Sequence, residues 1–207
     1  IRVPSIGVAL ASASPELFIE RSGSRIKSGP IKGTGRTAAD LLPKDEAENV
    51  MIVDLMRNDL SKISRPGSVA VPALMRLERH PGLVHLVSDV VGELIDGLGW
   101  PEILDATFPP GSVTGAPKSS ALRLIADLEK ASRGPYCGAF GWVDADARTA
   151  SLAVTIRTFW LEDDDVLFGT GAGITWGSDP EGEWWETELK AQRLMSLAAG
   201  IWQGDAS

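Results

Sequence analysis

The sequence predicts an α+β fold built mainly on antiparallel sheet, and three observations carry that expectation. Short apolar and β-branched runs recur along the chain, and single segments of helical periodicity separate them into groups. The joins between runs are hairpin-like turns rather than long crossovers. With 207 residues the chain is long enough for one sizeable core, so a single domain over 1–207 is expected.

Ile6 to Ala11 and Leu17 to Arg21 read as strands around the turn signal Ser14-Pro15, and Arg25 to Lys27 begins another after Ser22-Gly23-Ser24. The opening run looks like a strand entered in mid-fold, so the domain is expected to begin before Ile1. Glycines and a proline mark Gly29 to Thr37 as a loop. From Asp45 to Leu60 apolar residues recur at helical spacing behind an acidic first turn, which the helix dipole favours. Ser68 to Val71 suggests a short strand, and Leu83 to Leu94 a long β-branched one. A short helix is expected from Pro101 to Ala106, a loop from Pro109 to Pro117 and an amphipathic helix from Lys118 to Glu129. Strands follow at Gly138 to Asp144, Ala150 to Trp160 and Val166 to Gly171, the last two joined by the acidic turn Glu162 to Asp165. Gly171-Ala172-Gly173 interrupts a further strand, and Glu183 to Ile201 forms the final helix.

Composition narrows the function classes. Hydrophobic content of 43%, charged content of 23% and a mean hydropathy of +0.02 are those of an ordinary globular protein. No apolar run reaches the roughly 18 residues that a membrane helix needs, and the start lacks a secretory pattern, so a cytoplasmic protein without membrane contact is expected. A net charge of −8 opposes phosphate backbones and argues against nucleic acid as a partner. The single cysteine, Cys137, permits no internal disulfide and reads as a small buried residue.

Three groups of residues can carry chemistry. Glu183, Glu186 and Lys190 share one helix face, a pattern that suits a solvated ladder of ion pairs unless the helix is buried. Trp184 and Trp185 between them suggest packing on more than one side. Asp45 and Glu48 stand one turn apart on the earlier helix, and carboxylates from both helices facing one cleft would suit Mg²⁺ rather than zinc. Of the two histidines, His80 precedes Pro81 in a turn and reads as a surface residue, whereas His85 lies inside a strand, as a core histidine or as one engaged in proton chemistry. Lys32 with Gly33 and Thr34, Arg157 with its flanking threonines, and Gly171 to Gly173 offer donors for carboxylates.

Taken in order, SPELF, PIKGT, DEAENVMIVDLMRNDL, GSV, HLVS, GSVTGAPK, GPYCGAFGW, VTIRT, GTGAGI and GSDPEGEWWETELK resemble the chorismate-utilising enzymes. That family includes component I of anthranilate synthase and of aminodeoxychorismate synthase, and the isochorismate and salicylate synthases. The matches run from Ser14 to Lys190. The resemblance implies antiparallel sheets packed face to face with helices outside, and chorismate as substrate. It makes Glu48 and Glu186 magnesium carboxylates, with Asp45 and Glu183 as outer partners. It also implies that Thr114, Tyr136, Arg157, the Gly171-Ala172-Gly173 backbone and Lys190 hold the substrate together with Gly33 and Thr34. Glu16 matches the general acid that protonates the departing C4 hydroxyl, and His85 a histidine near that end of the ring.

Lys32 separates the branches of the family. In PIKGT it matches the aminodeoxychorismate synthases, where a lysine adds to C2 as the hydroxyl leaves and ammonia then displaces it at C4; anthranilate synthases usually carry alanine here. Ammonia would come from a separate glutamine amidotransferase, since this chain has no Cys-His-Glu glutaminase set. The chain departs from the family in a shorter loop from Gly35 to Pro43, where GTG replaces the common GTRPRG. Alternatives to amination at C4 are anthranilate formation and a non-catalytic chorismate-binding fragment.

Overall fold

The computed structural model describes residues 1–41, 43–80 and 83–201. Its strands are β1 (Arg2–Val3), β2 (Val8–Ser12), β3 (Leu17–Ser22), β4 (Arg25–Gly29), β5 (Ile31–Gly35), β6 (Ala70–His80), β7 (Leu83–Glu93), β8 (Ala139–Asp144), β9 (Thr149–Val154), β10 (Thr158–Glu162) and β11 (Asp165–Phe168). Its α-helices are α1 (Pro43–Ser61), α2 (Trp100–Thr107), α3 (Lys118–Leu128) and α4 (Pro180–Ala198). All strand pairings are antiparallel, as the hairpin-like joins predict. The chain forms two compact units, one of residues 15–132 and 137–154, the other of residues 1–14, 133–136 and 155–207.

The larger unit is a seven-stranded sheet with α1, α2 and α3. Its order runs β8-β9-β3-β4-β7, and β7 also pairs with β5 and β6. Val91 of β7 pairs with both Lys27 of β4 and Ala70 of β6, whereas Val87 pairs with both Ile31 of β5 and Arg76 of β6. A strand has two edges, so β6 occupies one throughout while β4 and β5 share the other in succession. Pro30 stands at that junction, its carbonyl accepting from the Ser88 N–H at 3.1 Å.

Val84 to Ser88 are five consecutive buried residues, which requires cover on both faces of β7. One cover is α1, whose buried residues Asn49, Ile52, Val53, Met56, Asp59 and Leu60 recur at helical spacing. Ile26, Val90 and Ile103 are fully enclosed, each worth roughly 1.5–3 kcal/mol relative to exposure. Every buried apolar side chain among the described residues belongs to this unit.

The smaller unit holds the sheet β1-β2-β10-β11 and α4. Asp179 caps α4 by accepting the Gly182 N–H at 2.8 Å, Pro180 opens it, and Glu181 and Glu183 complement the dipole. The expected acidic turn joins β10 to β11, with Asp163 at φ +53°.

Four expectations are corrected. The Gly29 to Thr37 loop is largely strand β5, because a bulge between Ile31 and Thr34 absorbs the glycine and lets the ladder resume. The short strand at Ser68 to Val71 is the front of the eleven-residue β6, whose Leu, Met, Arg and Glu are helix formers held extended by pairing with β7. The single strand from Ala150 to Trp160 is two strands in different sheets, broken at Arg157, whose φ is +49°. Trp184 and Trp185 are 67% and 64% exposed, so they do not bury α4 on several sides. The surface position expected for the His80 side chain beside Pro81 lies outside the described residues. Among the described residues no helix is long and apolar enough to cross a membrane.

Candidate functional site

In the larger unit, the site begins at the bulge of β5. Gly33 has φ +83°, and a Cβ there would lie 3.0 Å from the Asp45 Cβ and 3.3 Å from Leu86, so glycine is needed both for the turn of the chain and for the approach of α1. The bulge places Lys32 against α1, where Nζ lies 3.9 Å from Glu48 Oε2 and 3.5 Å from the Ser112 carbonyl. Both side chains are about four-fifths buried, with 20% and 19% exposure. Thr34 follows the bulge opposite His85, and its hydroxyl bonds His85 Nδ1 at 2.9 Å. His85 is 3% exposed, and the hydroxyl fixes its ring.

The loop from 108 to 117 completes this cluster. Its Thr114 hydroxyl turns inward and donates to the Pro110 carbonyl at 2.9 Å, which presents the Ser112 carbonyl to Lys32. Glu16, just before β3, is 7% exposed, and its backbone carbonyl accepts from Val154. Lys32, Gly33, Thr34, Asp45 and Glu48 therefore form one neighbourhood with His85, whereas sequence reasoning sets Asp45 and Glu48 with the carboxylates of the last helix.

A second neighbourhood forms in the smaller unit around residues 169–173, which are irregular and not part of a strand. The Tyr136 ring lies on this backbone: a Cβ on Gly171 would meet its hydroxyl oxygen at 2.8 Å, and one on Gly169 would overlap the ring. Arg133 stands over the same ring at 5.9 Å. From α4, Lys190 donates to the Gly171 carbonyl at 3.3 Å and pairs with Glu186 at 2.6 Å, and Thr187 accepts from the Thr170 hydroxyl through its carbonyl. Glu183 is 7% exposed and accepts from the Ser178 hydroxyl at 2.6 Å, while Ser178 receives the Thr175 N–H. Arg157, on the bend between β9 and β10, offers its carbonyl to the Ala13 N–H at 3.0 Å. Tyr136, Gly171, Ala172, Gly173, Glu186 and Lys190 are thus brought together, with Glu183 one turn back on α4.

Two polar residues of α1 that sequence reasoning left unassigned are central. Asn49, fully buried, donates to the Leu86 carbonyl at 3.3 Å and accepts from Ser88 Oγ at 2.5 Å, pinning α1 to β7 opposite the bulge. Asp59, 2% exposed, pairs with Lys118 at 2.6 Å and Lys62 at 3.1 Å. Both lie on the apolar stripe of the helix, and that register was the signal that could have marked them as buried. Among the described residues no three His, Cys, Asp or Glu side chains converge as a ready metal-ligand group. The donors available in both neighbourhoods are hard carboxylate oxygens, the type magnesium prefers.

Comparison with known proteins agrees with the motif order. The sequence pattern of the chorismate binding enzymes matches residues 3–196. Component 1 of anthranilate synthase from Aquifex aeolicus is 43% identical over 88% of this chain and 39% of its own length. Component 1 of aminodeoxychorismate synthase from Salmonella typhimurium is 40% identical over 90% of this chain and 44% of its own. The chain therefore spans less than half the length of either relative. Among solved structures, anthranilate synthase component I from Streptococcus pneumoniae superimposes with a TM-score of 0.81 at 35% identity, covering 91% of this chain and 44% of that one. A 2,3-dihydroxybenzoate-specific isochorismate synthase from Bacillus anthracis gives 0.80 at 29% identity, over 93% of this chain and 54% of its own.

Proposed function

The chain belongs to the family of chorismate binding enzymes, and from that premise we propose that it is the catalytic part of a component I enzyme that converts chorismate to 4-amino-4-deoxychorismate. The observation that carries this reading is Lys32, held on a glycine bulge, largely shielded from water and aimed along Glu48. The two residues at the bulge divide the work: Gly33 lets the backbone bend, and Lys32 supplies an amine.

In this reading the Lys32 amine, once neutral, adds to C2 of the ring as the C4 hydroxyl departs, and Glu16 gives the proton that lets it leave as water. Ammonia from a glutamine amidotransferase partner then forms the C4–N bond, expels the lysine and yields its extra proton. His85, oriented by Thr34, faces the polar end of the ring. Tyr136, Arg157, Lys190 and the Gly171 to Gly173 backbone hold the two carboxylates in place, and Gly33, Thr34 and Thr114 also bind the substrate. Glu48 and Glu186 would hold Mg²⁺, with Asp45 and Glu183 as outer partners; when bound, the ion neutralises a substrate carboxylate and orients the ring. A cytoplasmic setting suits the substrate and partner proposed.

Incubation with chorismate, Mg²⁺ and ammonium is expected to give 4-amino-4-deoxychorismate, and Lys32→Ala to abolish it while chorismate still binds. Intact-mass measurement of the quenched wild-type reaction should find the lysine adduct. Production of anthranilate and pyruvate would instead support a second reading, anthranilate synthase component I, which the 43% identity to the Aquifex aeolicus relative favours.

A further inference from the structure

We propose that the buried Asp59–Lys118 ion pair is a positioning device that clamps the 108–117 loop along α1 and so keeps the Ser112 carbonyl on the Lys32 ammonium. The proposal rests on the reading of Lys32 as a reacting group.

Asp59 lies near the C-terminal end of α1 with its carboxyl 3% exposed, and Lys118, the first residue of α3, is 16% exposed. The Lys118 Nζ sits 2.6 Å from Asp59 Oδ2 and also donates to the Thr107 carbonyl at 2.6 Å. Thr107 is the last residue of α2, so one ammonium ties both ends of the loop together and fastens them to α1. Between those ends, Gly111 packs on the helix. A Cβ there would overlap Leu55 and come within 2.9 Å of the Met56 methyl.

The loop is stiff within itself. The Thr114 hydroxyl and the Val113 N–H both reach the Pro110 carbonyl, and the Gly115 N–H reaches the Gly111 carbonyl at 3.0 Å. Where the ends are held, the middle is held, and Ser112 is in the middle. Its carbonyl accepts from Lys32, whose other neighbour is Glu48. Glu48, Ile52, Leu55 and Asp59 stand at i, i+4, i+7 and i+11 and so line one stripe of α1. One helix face therefore sets the anion beside the lysine at one end and the clamp on its carbonyl partner at the other.

Energetics point the same way. A buried ion pair gives little stability over well-packed apolar residues, because desolvation offsets the attraction, so its contribution here is geometric. Lys62, the second cation on Asp59, is 53% exposed, so its pairing with Asp59 is largely screened by solvent.

Hydrogen exchange read by mass spectrometry on the whole chain tests the clamp, with wild type, Lys118→Met, Asp59→Asn, the double variant and Lys118→Arg. The clamp predicts that exchange in 108–117 rises about tenfold or more in Lys118→Met and Asp59→Asn and no further in the double variant, while β3, β4 and β7 keep their protection. Lys118→Arg should restore much of it. Unchanged loop protection, an equal rise across the sheet, or additive effects in the double variant would each overturn the proposal. The double variant leaves no buried charge unpaired, since Lys62, which also loses Asp59, is 53% exposed, and it covers the case in which a single variant fails to fold. A kinetic arm separates the two claims: kcat should fall in Lys118→Met with the KM for chorismate within about twofold. If the loop loosens as predicted but the wild type forms no aminated product, the clamp stands and the reading of Lys32 falls.

Discussion

Lys32 owes its position to the residue that follows it. With φ at +83° and Asp45 at 3.0 Å from where a side chain would begin, Gly33 cannot be replaced without moving either the strand or the start of α1. Gly33→Ala is expected to destabilise the protein by about 1–3 kcal/mol, seen as a lower urea midpoint at unchanged slope. Lys32 was singled out in the sequence because PIKGT belongs to an ordered motif set, and His85 because it stands inside a β-branched strand. Asn49 and Asp59 were not, although they share the stripe of Ile52, Val53, Met56 and Leu60. An amide or carboxylate in a helix reads as solvated until its partners are known, and those partners, Ser88, Leu86 and Lys118, are 37 or more residues away.

Elements were readable where local pattern and tertiary demand agree. The periodicity of Asp45 to Leu60 became α1 and the β-branched run became β7 within a few residues of the expected bounds. They failed where partners override propensity: β5 is a strand because β7 accepts it across a bulge, and β6 because pairing with β7 holds it extended from Ala70 to His80. The break between β9 and β10 carries no glycine or proline, and only the left-handed backbone of Arg157 marks it. A local pH response belongs to the short turn Ala38–Asp40 that leads toward α1. The Thr37 N–H, at 2.7 Å, and then its hydroxyl hold the Asp40 carboxyl below its ordinary value of 3.8. A depressed carboxyl favours the folded turn above its unfolded value and loses that contribution as pH falls through the folded one. Exchange at the Thr37 amide should therefore quicken in acid below the usual aspartate range, and Asp40→Asn should remove that dependence.

Across the whole molecule, antiparallel architecture was legible from composition and turns, whereas the partition into two units was not, since Ser14-Pro15 reads as one turn among several and nothing marks residue 155 as a boundary. Among the described residues, buried apolar side chains, from Phe18 to Val154, all lie in the larger unit, and in the smaller one Thr155, Thr158 and Glu183 are the buried polar residues. Native-state hydrogen exchange should accordingly find the slowest amides in β3, β4 and β7, with α4 markedly faster; equal protection in α4 would contradict this distribution. The smaller unit is drawn from three stretches of chain, and its sheet joins the first to the last: Ser12 and Thr158, whose hydroxyls bond at 2.8 Å, are 146 residues apart. On the ribosome, at roughly 5–20 residues per second, β2 emerges roughly 7–30 seconds before β10 exists. Strands β3 to β7, complete by Glu93, can pair with one another in that interval, so the nascent chain carries a partly built sheet while its leading strands still wait for a partner.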